Sequence, residues 1–316
     1  AGRHGGIYHT HLRNKLGDQF LDPVKEALEI GQMGEIPCHL THFYQKMTHA
    51  GSAKRLLGLV DEAVGHGQDV TMDCFHYPYS STRLLILIPE WAFDGGPEKL
   101  KEVLRSPEGR ERLRQEIHPR SGAFTELMLT NFKQPHNHKY EGRSLAEIAD
   151  MMEIGEVDTI CDLSLDEDLQ ISYVSPGPSL TTLPDFITHP RTMVGTDAVL
   201  LGEYPNPRSY GTFPTILADY VREEGRLTVE EAIRKMTSMP ALRLDIRDRG
   251  MLRDRMKADI VIFDPSTVRS PATRSQPKQF PVGIEYVVVN GTVVVDQGQH
   301  TGALPGRALR HGHQLS

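Results

Sequence analysis

The chain has 316 residues, 35 basic and 42 acidic side chains, a net charge of −7 and three cysteines. With no basic excess it carries no electrostatic footprint for nucleic acid, and apolar runs such as residues 84–88 fall far short of the roughly 20 residues a membrane-crossing helix needs. Cys38, Cys74 and Cys161 form no CxxC pair, which points to a reducing, cytoplasmic setting in which Cys38 and Cys74 are buried small hydrophobes. No charged-then-apolar leader opens the sequence, and a strand-like run begins almost at once, so the chain reads as cut from a longer one.

Residues 6–12 read as a strand, and residues 22–32 as a helix with Val24, Ala27, Leu28 and Ile30 at helical spacing. A second strand follows at 36–41, a helix at 53–64 stopped by Gly65 and Gly67, and a third strand at 70–74. The next strand, 193–196, is far away. The intervening region, about 75–192, places helices at 98–104 and 145–152 among Pro- and His-rich loops. It is too long for a simple strand-to-helix connection and reads as an inserted cap or lid. Helices near 215–224 and 228–239 complete a strand–helix alternation that argues for a parallel α/β architecture. With the insertion removed, residues 1–247 leave roughly 130 residues, about four strand–helix units at the roughly 30 residues per unit of an eight-unit barrel. From residue 248 to 316 the chain turns β-rich, with Asn290-Gly291 between two valine runs as a hairpin signal.

No HExxH, GxSxG, phosphate-loop or GxGxxG pattern occurs. The acidic run 162–168 lacks the central glycine of a calcium loop and reads as the solvated start of a helix. Three segments lie at the C-terminal ends of expected strands, the catalytic rim of a barrel: YHTHLR at 8–13, CHLTH at 38–42 and VGTD at 194–197. Two imidazoles and a carboxylate on one rim suit zinc. By spacing alone, His11 and His42 read equally well as strand-end histidines bonded to backbone, and Asp197 as a turn or cap residue. His9 and His11 also form an HxH pair, which leaves open that residues 9–11 begin a barrel rather than continue one. His118, His136, His138 and His300 sit in polar loops and read as solvent-facing.

In order, these segments resemble the N-acyl-D-amino-acid deacylases of the amidohydrolase superfamily. GGIYHTHLR at 5–13 is similar to that family's GGxYxxHxR strand, and Thr41-His42 to its next metal-binding strand end. Asp73 with YPYSST at 77–82 resembles its D-x-YPY-x-GST segment, and LIPEW at 87–91 with Gly95-Gly96 its LPxWxxxGG stretch. Gly195-Thr196-Asp197 resembles the GSD motif, PRSYGTFP at 207–214 the HPRxYGTFP motif, and Lys235-Met236-Thr237 with Pro240-Ala241 the KMTxxPA motif. Residues 250–264 and 288–291 are similar to the β-sandwich that ends these enzymes.

The resemblance implies the C-terminal half of a (β/α)8 amidohydrolase barrel (residues 1–247, with the insertion at about 75–192), followed by a small β-sandwich portion (residues 248–316). It assigns His11 to the fifth strand and makes the HxH spacing accidental. It implies one tightly bound zinc on His11, His42 and Asp197, with a second metal ion only in a complete protein. Asp197 is then the acid/base for hydrolysis of an N-acyl-D-amino acid. Arg208 grips the substrate carboxylate, with Tyr77 and Ser81 as further substrate contacts. The family's first-strand HxH pair and bridging cysteine have no counterpart here. Tyr44 stands where a lysine is frequent, Asn206 replaces the histidine of HPR, and Ala198 the glycine of GSDG. These departures keep two alternatives in view: a cyclic-amide (hydantoin-type) or D-dipeptide hydrolase, and a non-catalytic fragment or decayed relative. Isolated, the chain is expected to be inactive and, with open strand edges, poorly soluble or oligomeric.

Overall fold

Alternation along four short parallel strands builds the core of a computed structural model whose described residues are 2–13, 19–45, 53–119 and 123–309. Strands β1 (Tyr8–Thr10), β2 (Cys38–Leu40), β3 (Val70–Cys74) and β7 (Thr192–Val194) form one parallel sheet in the order β1-β2-β3-β7. Successive side chains on a strand face opposite ways. Cys38, Leu40, Val70, Met72 and Cys74 therefore share one face, all 0% exposed. That face packs on Val24 and Leu28 of helix α1 (Asp22–Met33), on Leu56 and Val60 of α2 (Ala53–Gly65), and on Phe186 and Ile187 of α7 (Leu183–Thr188). His39, Thr71 and Asp73 take the other face, and His9 stands in register with His39. The strands are shorter than their apolar runs, because pairing stops where the chain turns outward at the sheet's C-terminal end.

Between β3 and β7 lies a second core, around Leu100, Leu104, Leu113, Leu129, Ile148, Ile160 and Tyr173. Its helices are α3 (Gly96–Arg105), α4 (Pro107–Glu116), α5 (Leu145–Met152) and α6 (Glu156–Asp166). Ser144 caps α5 by accepting from the Glu147 amide, and Glu147 returns the bond to the Ser144 amide. This region also holds an antiparallel sheet, β4 (Tyr79–Arg83), β6 (Ser172–Pro176) and β5 (Met128–Thr130), in the order β4-β6-β5. No local pattern announces it: YSSTR has no apolar alternation, and its pairing partner lies about 90 residues away. The acidic run 162–168 is corrected as well. It closes α6 rather than opening a helix, and Glu167 is buried, accepting from the amides of Lys133 and Gln134 and from Asn137.

Helix α8 (Arg208–Thr215) continues into a π-helical segment, Ile216–Glu223, where the Glu224 amide donates to the Asp219 carbonyl at 2.8 Å. The helix expected over 228–239 is two helices, α9 (Val229–Met236) and α10 (Ser238–Arg243), with the break at Thr237. Pro240 has no N–H to give Met236, and its ring crowds that carbonyl. The terminal β-rich stretch forms an antiparallel sheet in the order β11-β10-β9-β8, from β8 (Ile260–Phe263), β9 (Ile284–Val289), β10 (Thr292–Asp296) and β11 (Gln299–His300). Asn290 and Gly291 turn the β9–β10 hairpin with φ of +49° and +79°, the backbone that Asn-Gly favours. Among the described residues, no helix is long and apolar enough to cross a membrane.

Candidate active site

At the C-terminal end of the parallel sheet the chain leaves β2 through a turn in which His42 takes φ = +38°, left-handed backbone that is unfavourable for a residue with a side chain. Asp73, at the end of β3, holds that turn. Its Oδ1 accepts from the His42 amide at 2.8 Å, and its Oδ2 accepts from Thr41 Oγ1 at 2.8 Å and from His39 Nε2 at 2.8 Å. Burial alone would raise the Asp73 pKa. The hydrogen bonds from His39, the His42 amide and Thr41 outweigh it and hold the carboxyl below its ordinary range. The Gly195 position is dictated by the same carboxylate: a Cβ there would lie 2.8 Å from Asp73 Oδ1.

His42, so fixed, meets His11 from the end of β1. His42 Nε2 and His11 Nδ1 stand 2.5 Å apart, with ring centroids at 4.4 Å. Two facing ring nitrogens this close share at most one proton. Without it both aim lone pairs into one space, the donor chemistry that zinc takes. His9 does not join this pair through its HxH spacing. It turns to His39, with ring centroids 4.9 Å apart.

Asp197 does not close a three-ligand cluster with His11 and His42 among the described residues; it is connected to them through a relay of ring contacts. The His42 ring lies 6.2 Å from the Tyr44 ring, which packs edge-on to Phe75 at 5.5 Å; the Arg208 guanidinium sits over Phe75 at 4.3 Å. Arg208 Nη2 donates to Asp197 Oδ2 at 2.5 Å and to the Asp197 carbonyl at 2.9 Å; Nε also reaches that carbonyl, and Nη1 the Tyr79 carbonyl. Arg208 is 2% exposed, whereas the Asp197 side chain is 40% exposed. Burial lowers the Arg208 pKa and Asp197 opposes it. Tyr44 has its pKa raised, chiefly by burial, with a hydrogen bond to Ser80 and the Arg208 charge opposing. Asn206, which stands where the motif has a histidine, braces this arrangement: its Oδ1 accepts from the Arg208 amide at 3.2 Å and its Nδ2 donates to the Tyr79 carbonyl at 3.0 Å.

Tyr77 is buried, its hydroxyl 3.4 Å from both Thr215 and Ser270 and close against Gly211, one turn beyond Arg208. On β4, Ser80 faces Tyr44, so its neighbour Ser81 faces the opposite side of the strand. Cys38 and Cys74 are fully buried, and burial raises both thiol pKa values, Cys38 to about 11. Sequence reasoning named His11, His42 and Asp197 and quoted Thr41 and Asp73 within motifs, but did not see that buried His39 and part-buried Thr41 and Asp73 form the scaffold beneath them. The available signal was alternation: polar residues at 39 and 41, and at 71 and 73, on strands whose other face is wholly apolar.

A family model described as amidohydrolase family matches residues 109–295. The N-acyl-D-aspartate deacylase of Alcaligenes xylosoxydans xylosoxydans is 32% identical over 324 aligned residues, covering 99% of this chain and 55% of that protein. The crystal structure of a D-aminoacylase superposes with a TM-score of 0.75 at 26% identity, over 95% of this chain and 55% of the other. An N-acyl-D-glutamate deacylase from Bordetella bronchiseptica, in complex with zinc and a phosphonate that mimics the tetrahedral intermediate, superposes with a TM-score of 0.73 at 28% identity, over 92% of this chain and 53% of that one. The chain thus spans about 55% of the length of the relatives it matches. Agreement of ordered motifs, of the family model over most of the chain and of the α/β fold with part of the D-aminoacylase structure places this chain in the amidohydrolase family, beside the N-acyl-D-amino-acid deacylases.

Proposed function

We propose that the complete protein hydrolyses the amide bond of N-acyl-D-amino acids, giving a carboxylate and a free D-amino acid. The observation that carries this reading is the His11–His42 nitrogen pair at the C-terminal end of the parallel sheet, to which the Arg208–Asp197 pair is connected through Phe75 and Tyr44. In this reading residues 1–247 supply the C-terminal half of a (β/α)8 barrel with an insertion over about 75–192, and residues 248–316 a β-sandwich portion. The parallel order β1-β2-β3-β7 supports the first assignment, and the antiparallel terminal sheet supports the second.

His11, His42 and Asp197 are the residues to hold zinc, and the imidazole nitrogens fit it as donors. Bound there, zinc supplies a Lewis acid for the scissile carbonyl and makes water acidic enough to be deprotonated near neutral pH. Asp197, part exposed, takes the proton from the attacking water and returns it to the leaving amine, so the acyl group gains OH and the D-amino acid leaves as its amine. Asp197 is a poor base while its Oδ2 is paired to Arg208. An incoming substrate carboxylate that takes the guanidinium frees that oxygen, so Arg208 couples substrate arrival to the readiness of the base. Tyr77, packed one turn from Arg208, and Ser81 on β4 are proposed as further substrate contacts.

The test is release of free D-amino acid from N-acetyl-D-substrates by the complete reading frame loaded with zinc, beside a panel of hydantoins and D-dipeptides. Asp197→Asn should lower kcat by about 10²–10⁴-fold, the usual range for a general acid–base group, with zinc still bound. Arg208→Lys should raise KM more than it lowers kcat. Metal-loaded protein without turnover on the N-acyl-D-substrates rejects the proposal, and turnover on the panel alone moves it to cyclic-amide or dipeptide hydrolysis.

A further inference from the structure

We propose that His9, His39 and Asp73 form a second cation site, separate from the His11–His42 pair, that takes a divalent ion of the zinc class. The three side chains come from β1, β2 and β3 and converge on the polar face of the parallel sheet; one ligand atom from each lies within 4.8 Å of the others. Zinc bonds of about 2.0–2.1 Å need donor atoms somewhat closer than this, a closure that rotation of the exposed His9 ring supplies. His9 precedes His11 by two residues on the same strand, which sets the site roughly 6–7 Å below the upper pair. Two imidazoles with one carboxylate favour zinc, cobalt or nickel and disfavour magnesium and calcium, which seek oxygen alone.

The neighbours of this cluster allow His39 to change tautomer when a metal binds. Ionised Asp73 only accepts, so His39 Nε2 carries the proton of their 2.8 Å bond, and His39 Nδ1 takes its bond from Thr71 Oγ1 at 2.8 Å. When an ion takes Nε2, the proton moves to Nδ1, and the Thr71 hydroxyl turns from donor to acceptor. The Nε2–H bond to Asp73 gives way to bonds from both atoms to the ion, the Thr71 bond is kept with its direction reversed, and His39 acquires the outer N–H partner that metal-bound histidines have as a rule. Asp73 keeps Oδ1 on the His42 amide throughout, so the lower ion is joined through one carboxylate to the turn that presents His42. The inference stands on the lower cluster alone and is independent of the substrate assigned above.

The experiment is equilibrium dialysis of the metal-free 316-residue chain against zinc, and separately cobalt, with bound metal measured by elemental analysis and the cobalt visible spectrum recorded. A His11→Ala/His42→Ala double variant should retain one equivalent of ion, show cobalt bands and melt at a higher temperature with zinc than without. Adding His9→Ala should remove the equivalent, the bands and the zinc-dependent shift in Tm. His9 is exposed, so its loss leaves the core intact. His39→Gln keeps polar partners for Thr71 and Asp73 and should abolish binding in the same way. Binding by the double variant that survives both His9→Ala and His39→Gln, or a double variant that binds no ion while its far-ultraviolet circular dichroism is unchanged, overturns the proposal. The readout involves no turnover, so its failure and that of the deacylase reading are distinguishable.

Discussion

The parallel sheet and the terminal antiparallel sheet show opposite relations between sequence and burial. In the first, β2 has only three residues, yet Cys38, Leu40 and, on β3, Met72 are fully buried. In the second, β9 has six residues and the strands are richer in valine and isoleucine, yet Val261 and Ile262 on β8 are 54% and 52% exposed and Val293 on β10 is 41% exposed. Val261 and Ile262 are neighbours on one strand and face opposite sides, so neither face is fully covered. Among the described residues, only the first sheet has a helical layer (α1, α2 and α7) across its apolar face; from the second, Phe263 and Ile284 lean on the main core. Apolar composition sets what a strand can bury, and the covering layer sets what it does bury. The polar face of the first sheet is where the candidate chemistry collects.

The sharpest test of that contrast is at Asp73, the one carboxylate that holds the polar face together. Asp73→Ala leaves the His42 amide, Thr41 and His39 without their acceptor. It should weaken zinc binding at His11 and His42 by about 10–100-fold, as loss of an outer partner typically does, in a competition titration. Removing the charged centre of this largely enclosed network should also lower stability by roughly 3 kcal/mol in urea unfolding.

Next in size is a pair of truncations. Leu40→Ala in the parallel sheet should cost about 2–5 kcal/mol, whereas Ile262→Ala in the terminal sheet should cost less than about 1 kcal/mol, since little packing is lost there. Equal costs in urea unfolding would mean that the terminal sheet is covered in solution.

A smaller effect follows from His76, part-buried beside the π-helical segment, where Nδ1 and the Tyr220 hydroxyl share a hydrogen bond at 2.7 Å. Burial pushes its pKa down to about 4, with Glu224 opposing. The folded form is therefore neutral where the unfolded form, near 6.5, takes up a proton. The contribution to stability is complete above about pH 6.5 and is lost as pH falls toward 4. His76→Phe should flatten that part of the stability profile.

The smallest change in stability, with a clear change in association, is expected for Ile262→Thr. It should leave the melting temperature nearly unaltered while shifting the chain toward monomer in sedimentation. The exposed apolar strands of the terminal sheet offer a surface for association in addition to the open barrel-strand edges expected from the sequence.

Much of this arrangement was written in local pattern. Apolar spacing and stop residues located α1, α2, β3 and α5, and Asn290-Gly291 located the terminal hairpin, because helices and tight turns are decided by neighbours in sequence. The ordered motifs likewise put His11, His42 and Asp197 at strand ends. Residues far apart in the chain decided the rest. The β4-β6-β5 sheet exists because YSSTR finds a partner beyond a long excursion, which no local signal reports. The pairing of His9 with His39 rather than His11 follows from strand register, and the hold of Arg208 on Asp197 from the docking of α8. The sequence alone determined which side chains can bind a cation or move a proton. The tertiary structure decided which of them meet, because distances of a few ångströms between separate strands are set by packing and pairing that no short stretch of chain contains.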